Sequence, residues 1–245
     1  MPFSALLRSE WTKLRTIRST WWCTALYLLV VGGTGWLAAA STDTAPRSDV
    51  ALSVALTGFG FGQLIVLVLG VLAVTTEFAS GMALASLTVA PRRTRLLTAK
   101  TLVVTVYSAL LTAVLAVVCV LAAFTLTAVP GGLQLASPEV LRALGLQVGA
   151  ASLVAVLAVA LGALLRSTAG AVGIGAALVF VLPPALALTG KELAERASQA
   201  LPALRVGEDA FLAVATTWPV GMGVVAAWSV VAWLLGAVLL ERRDV

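Results

Sequence analysis

The chain has 245 residues, of which 60% are hydrophobic and 11% charged, against about 25% charged in ordinary soluble domains. A water-solvated fold of this size cannot hide so much apolar surface, so lipid is the expected solvent. The net charge of +5 comes from basic residues that flank apolar runs, a membrane-orienting pattern rather than a nucleic-acid-binding one.

Residues 3–18 come first and are amphipathic. Phe3, Leu7, Trp11, Leu14 and Ile17 recur at helical spacing and line one face, while Arg8, Lys13, Arg15 and Arg18 lie away from it, with Glu10 among them. Such a helix is expected to lie in the membrane interface with its Trp at headgroup level.

Cutting the chain at every charged residue then leaves six long uncharged runs, 19–42, 50–76, 101–138, 143–165, 167–190 and 210–240. Each exceeds the roughly 20 residues a helix needs to cross the hydrocarbon core. Their Leu, Val and Ala do not alternate as barrel strands do, so the expected fold is all-α with six transmembrane helices. The spans are placed at about 20–40, 51–76, 101–128, 139–165, 167–187 and 218–240. Val129-Pro130-Gly131-Gly132 separates the third span from an outer loop.

Between the second and third spans lies EFASGMALASLTVAPRRTRLLTAK, Glu77 to Lys100. Ser80 can cap a helix start and Pro91 disfavours helix just before itself, which frames a short helix at about 80–90. An apolar helix in such a loop needs something to pack against. Beyond it, Ser137-Pro138-Glu139 reads as cap, first-turn Pro and acid at the start of the fourth span. Pro183-Pro184 ends or kinks the fifth span. Thr189 and Glu192 have capping-box spacing, opening a short helix at 190–201 within an outer excursion over 183–217.

Eleven Lys and Arg fall on the side that holds both chain ends and five on the other, so that side is expected to be cytoplasmic. The sequence contains no His, and Cys23 and Cys119 sit inside apolar runs, where Cys acts as a small hydrophobe. Gly58 and Gly62 form one GxxxG, a packing signal, and Gln63 and Gln147 are the long polar side chains deep in the spans, suited to helix–helix hydrogen bonds or a pathway. Lys100-Thr101 lacks the preceding glycine of a phosphate-binding loop, so no ATP site is expected in this chain.

SEWTKLRTIRSTWW at 9–22 and the 77–100 segment together resemble bacterial ABC-transporter permeases of the drug and polysaccharide export type. The shared features are Glu, Lys-Leu-Arg and Arg-Ser before aromatics in the first string. In the second they are Glu-aromatic, a helix-starting Gly, Leu, Pro-basic and a closing Lys; Met82 stands where the family usually carries Thr. The resemblance implies a single permease domain over 1–245 in a bacterial cytoplasmic membrane, paired with a second permease copy and with P-loop ATPase subunits. ATP and Mg would be bound by those subunits, this chain holding no cofactor and catalysing nothing. It also implies a coupling helix marked by Glu77, Gly81, Met82, Leu84, Leu87 and Pro91, braced by Trp11, Lys13, Leu14, Arg15 and Arg18 of the interfacial helix. The apolar spans suit export of a hydrophobic or amphipathic substrate. An ATP-independent carrier or channel, or a membrane anchor without transport, are the other classes compatible with six spans.

Overall fold

The computed structural model describes residues 2–42, 48–81, 93–127, 137–190, 192–202 and 218–242. All of the regular structure among them is helical, and six segments are long and apolar enough to cross a membrane. The chain is a multi-pass membrane protein.

Helix α1, Phe3–Thr16, precedes a first span built from α2, Arg18–Tyr27, a π-helical turn over Leu28–Gly32, and α3, Gly33–Ala40. The second span is in two pieces, α4, Ser48–Leu56, and α5, Phe59–Ala79. The interruption at Thr57-Gly58 falls on the first glycine of the GxxxG pair. A side chain at 58 would collide with Thr34 Oγ1 and come within 2.6 Å of the Val31 carbonyl oxygen. One at 62 would meet Val31 Cγ2 at 2.6 Å and the Tyr27 ring at 2.9 Å. The GxxxG pair therefore lets the second span lie directly on the widened π turn of the first.

The third span, α6, Arg93–Leu126, starts well before residue 101, so Lys100 is a helical residue rather than the close of a loop. The fourth, α7, Pro138–Leu165, begins as its sequence leads one to expect: the Val140 N–H donates to Ser137 Oγ at 3.4 Å, with Pro138 in the first turn. It ends at Arg166, which adopts a left-handed conformation with φ 51°. The fifth span comprises α8, Thr168–Ala176, a second π turn at Ala177–Val181, and α9, Leu182–Ala187. Pro183-Pro184 thus does not stop this span. The missing N–H groups are absorbed by the wider turn before them, and the helix runs on to Ala187. Short helix α10, Glu192–Ala200, and the last span α11, Trp218–Arg242, complete the order.

Two caps work differently from their sequence patterns. The Thr189 hydroxyl donates back to the Leu186 carbonyl at 2.7 Å, and Gly190 turns left-handed at φ +62°. Both serve the end of α9 rather than the start of α10. Ser80 likewise donates to the Thr76 carbonyl at 2.8 Å, and Gly81, φ +72°, terminates α5 as a left-handed glycine. Of the expected coupling helix, Met82, Leu84, Leu87 and Pro91 lie outside the described residues.

At the centre stands α7, packed on α5, α6 and α11. In lipid, helices associate through close packing rather than hydrophobic exclusion, so small residues sit where helices touch. A Cβ at Gly70 of α5 would meet Ala158 of α7 at 2.6 Å, and one at Gly162 of α7 would meet Val74 of α5 at 3.1 Å. Each helix gives up a side chain to admit the other.

Candidate functional site: a buried ring of charges

Helix α1 buries Leu6, Glu10 and Leu14, with Leu7 and Trp11 of the apolar stripe packed partly buried beside Leu14 and Phe3 exposed. The inward turn of Glu10 is ionic. Four side chains from three helices close into a ring, Glu10 and Lys13 of α1, Glu77 near the end of α5, and Lys100 two turns into α6.

Lys100 Nζ lies 2.6 Å from Glu10 Oε2 and 2.8 Å from Glu77 Oε1. Lys13 Nζ lies 2.7 Å from Glu10 Oε1 and 3.0 Å from Glu77 Oε1. Every neighbour around the ring has the opposite sign. Lys100 also donates to the Ala73 carbonyl at 3.1 Å, so each of its three N–H groups has an acceptor. Glu10, Glu77 and Lys100 are 4%, 5% and 6% exposed, a depth at which charges persist only when paired and hydrogen-bonded. Burial works against the charge on Lys13, yet the hydrogen bonds and attraction from Glu10 and Glu77 outweigh it and raise its pKa above the ordinary 10.5.

Packing holds the ring in place. Leu6 joins Leu96 and Ala99 of α6 in a small apolar cluster on one side. Trp11 meets Tyr107 edge-on at 6.2 Å on the other. A crevice of about 30 Å³ opens on the ring between Val74, Phe78, Leu97 and Leu240, with Glu77 and Lys100 in its wall. Further ties gather at the same end of the bundle. Arg93 Nη1 donates to the Leu240 carbonyl at 2.9 Å, fastening the start of α6 to the end of α11. The Arg166 guanidinium lies 5.1 Å from the centre of the Phe78 ring, and Thr168 bonds Thr75 at 2.7 Å, which secures the α7–α8 turn to α5.

Of the residues singled out in the sequence, Glu77 and Lys13 are brought together in this ring. Trp11 and Leu14 pack beside it, while Arg15 and Arg18 are exposed. Gly58 and Gly62 lie at the contact between the first two spans. Gln63 is buried, and its Oε1 has no hydrogen-bond partner among the described residues; Gln147 is buried in α7. Glu10 and Lys100 were not among the candidate residues. The spacing of Glu10 and Lys13, three apart on one helix, was the available signal for an inward-facing charge pair.

Six apolar helices with an amphipathic helix locked to their end define a polytopic helical membrane domain. The family model described as ABC-2 family transporter protein matches residues 6–184, a stretch that contains all four members of the ring. The chain belongs to that family and is a membrane permease of an ABC transporter. Membership implies in general an ABC ATPase partner and dimeric assembly, this chain being the transmembrane component. No curated protein matches the chain.

Proposed function

We propose that this permease drives ATP-powered export of a hydrophobic or amphipathic substrate, working as a pair of permeases on two P-loop ATPase subunits. The observation that supports this most directly is the ring. It joins α1 to the last turn of α5 and the first turns of α6, the two helices that flank residues 80–92. A push delivered on that segment by a closing ATPase would therefore move α1, α5 and α6 together instead of bending one loop. ATPase closure then biases a two-state membrane domain. In this reading Leu84 and Leu87 seat the coupling segment in the ATPase, with Gly81, Met82 and Pro91 setting its limits. The α1 end faces the cytoplasm of a bacterial cell, as the excess of Lys and Arg on that side favours. The apolar spans leave a lipid-soluble cargo as the substrate class they suit.

The test is to purify the tagged chain from its native membrane in mild detergent, identify the proteins that accompany it, and assay ATP hydrolysis. A P-loop ATPase in about equal amount, lost in the Leu84→Asp/Leu87→Asp variant while membrane insertion persists, is the expected result. Transport by the chain alone, without any ATPase, would overturn the reading.

A further inference from the structure

Helix α1 has two charged faces, and among the described residues only one of them meets charged partners. Glu10 is the only acidic residue in the first 42, and it is turned inward and consumed by the ring. Arg8 and Arg15, seven residues apart and therefore on one line of the helix, point away from the bundle and are exposed, as is Arg18 at the first turn of α2. The outer surface of this segment is thus basic, with no acid of its own to balance it.

Its depth is set by tryptophan. The Trp21 indole Nε1 donates to the Arg15 carbonyl at 2.9 Å, so the ring hangs directly beneath the last turn of α1. Trp21 and Trp22 are 63% and 76% exposed. Indoles with an apolar body and a bonded polar edge settle at the headgroup level of a bilayer. Below them Trp22, Leu26 and Leu29 form an exposed apolar stripe at helical spacing along the first span. Arg15 and Arg18 thus sit at the junction from which exposed aromatic rings and an apolar track run along the first span.

We propose that the α1–α2 junction binds an anionic phospholipid, its phosphate held by Arg15 and Arg18, its acyl chain lying along Trp22, Leu26 and Leu29. Charge complementarity selects the occupant. A zwitterionic lipid gains little from uncompensated guanidinium groups, whereas an anionic headgroup neutralises them. Because the same helix carries Glu10 and Lys13 on its opposite face, lipid charge on the outside and the ring on the inside act on one rigid body.

The experiment uses the full chain in phosphatidylcholine vesicles and needs no ATPase, so its outcome is independent of the exporter reading. Tryptophan fluorescence is quenched with brominated-chain phosphatidylglycerol and, separately, with brominated-chain phosphatidylcholine at equal mole fraction. Two surface cations predict a preference for phosphatidylglycerol on the order of thirtyfold. That preference should vanish in Arg15→Gln/Arg18→Gln, persist in Arg15→Lys/Arg18→Lys, and shrink in Trp21→Phe/Trp22→Phe, where the other five tryptophans still report. Equal quenching by the two lipids, or a preference that survives the Gln variant, would overturn the proposal. The latter result would move the basic face to a protein partner such as a second copy. The Lys variant guards against a fold defect, since it preserves charge at the same two positions.

Discussion

The two ends of this helical bundle are held by different forces. At the α1 end, charged and polar side chains do the joining: the four-membered ring, Arg93 on the Leu240 carbonyl, Arg166 on Phe78, and Thr168 on Thr75. Toward the other end, where the first two spans meet at Gly58 and Gly62, backbones come into near contact and van der Waals attraction dominates, with the Tyr27–Thr112 hydrogen bond beside it. Directional bonds fix one arrangement and fail abruptly when a partner is lost. Close-packed glycines tolerate sliding but not added volume. Under the proposed ATPase drive that division is useful, since the end pushed must move as a unit while the remote end must be able to repack.

The sharpest way to break the comparison is Lys100→Met. It leaves Glu10 and Glu77 buried around a single remaining cation, and loss of one partner from a buried ion pair costs roughly 3–5 kcal/mol. Unfolding in mixed detergent micelles should show that loss. The double variant Glu77→Gln/Lys100→Met restores neutrality with the Glu10–Lys13 pair intact, so it should recover part of the stability. Strict additivity of the two single changes would mean that the four groups do not act as a ring.

At the remote end, Gly58→Ala drives a methyl group into Thr34 and the Val31 carbonyl. Overpacking of this kind costs about 1–3 kcal/mol, detectable by the same unfolding assay. Tyr27→Phe removes one buried hydrogen bond, Tyr27 Oη to Thr112 Oγ1 at 2.9 Å, and should cost about 1 kcal/mol.

The smallest effect is that of pH. Since Lys13 has its pKa raised in the folded chain, its contribution is fully present below the unfolded value and is lost only as pH climbs through the raised one. Stability attributable to Lys13 should therefore be flat from about pH 6 to about pH 9 and decline only in strong alkali. A loss in the neutral range that disappears in Lys13→Met would contradict this assignment.

The sequence disclosed the six spans because each is a long uncharged run, and nothing in a bilayer allows such a run to be anything else. It also disclosed the start of α7, where Ser137, Pro138 and Glu139 act locally. It did not disclose the ring, which joins Glu10 and Lys13 to Glu77 and Lys100, 67 and 90 residues beyond Glu10. Each of them looks, by itself, like an ordinary charged flank of an apolar segment. The inward side of α1 was not legible either: hydrophobic periodicity set its apolar stripe toward the membrane interface, and only the pairing with Lys100 shows that Glu10 turns toward the other spans. The break at Thr57-Gly58 has no local cause and exists because the first span presses against it. Local chemistry was legible, and contacts between distant segments were not.

The ring has an electrical property as well as a mechanical one. Two carboxylates and two ammonium groups cancel, so the set carries no net charge when it moves as a unit. A membrane potential does about 2.3 kcal/mol of work per elementary charge per 100 mV, but on this joint it does essentially none. In the proposed ATP-driven cycle this end of the permease would shift along the membrane normal without charging or discharging against the membrane voltage. The ring's displacement would then add no voltage dependence to the work of each stroke.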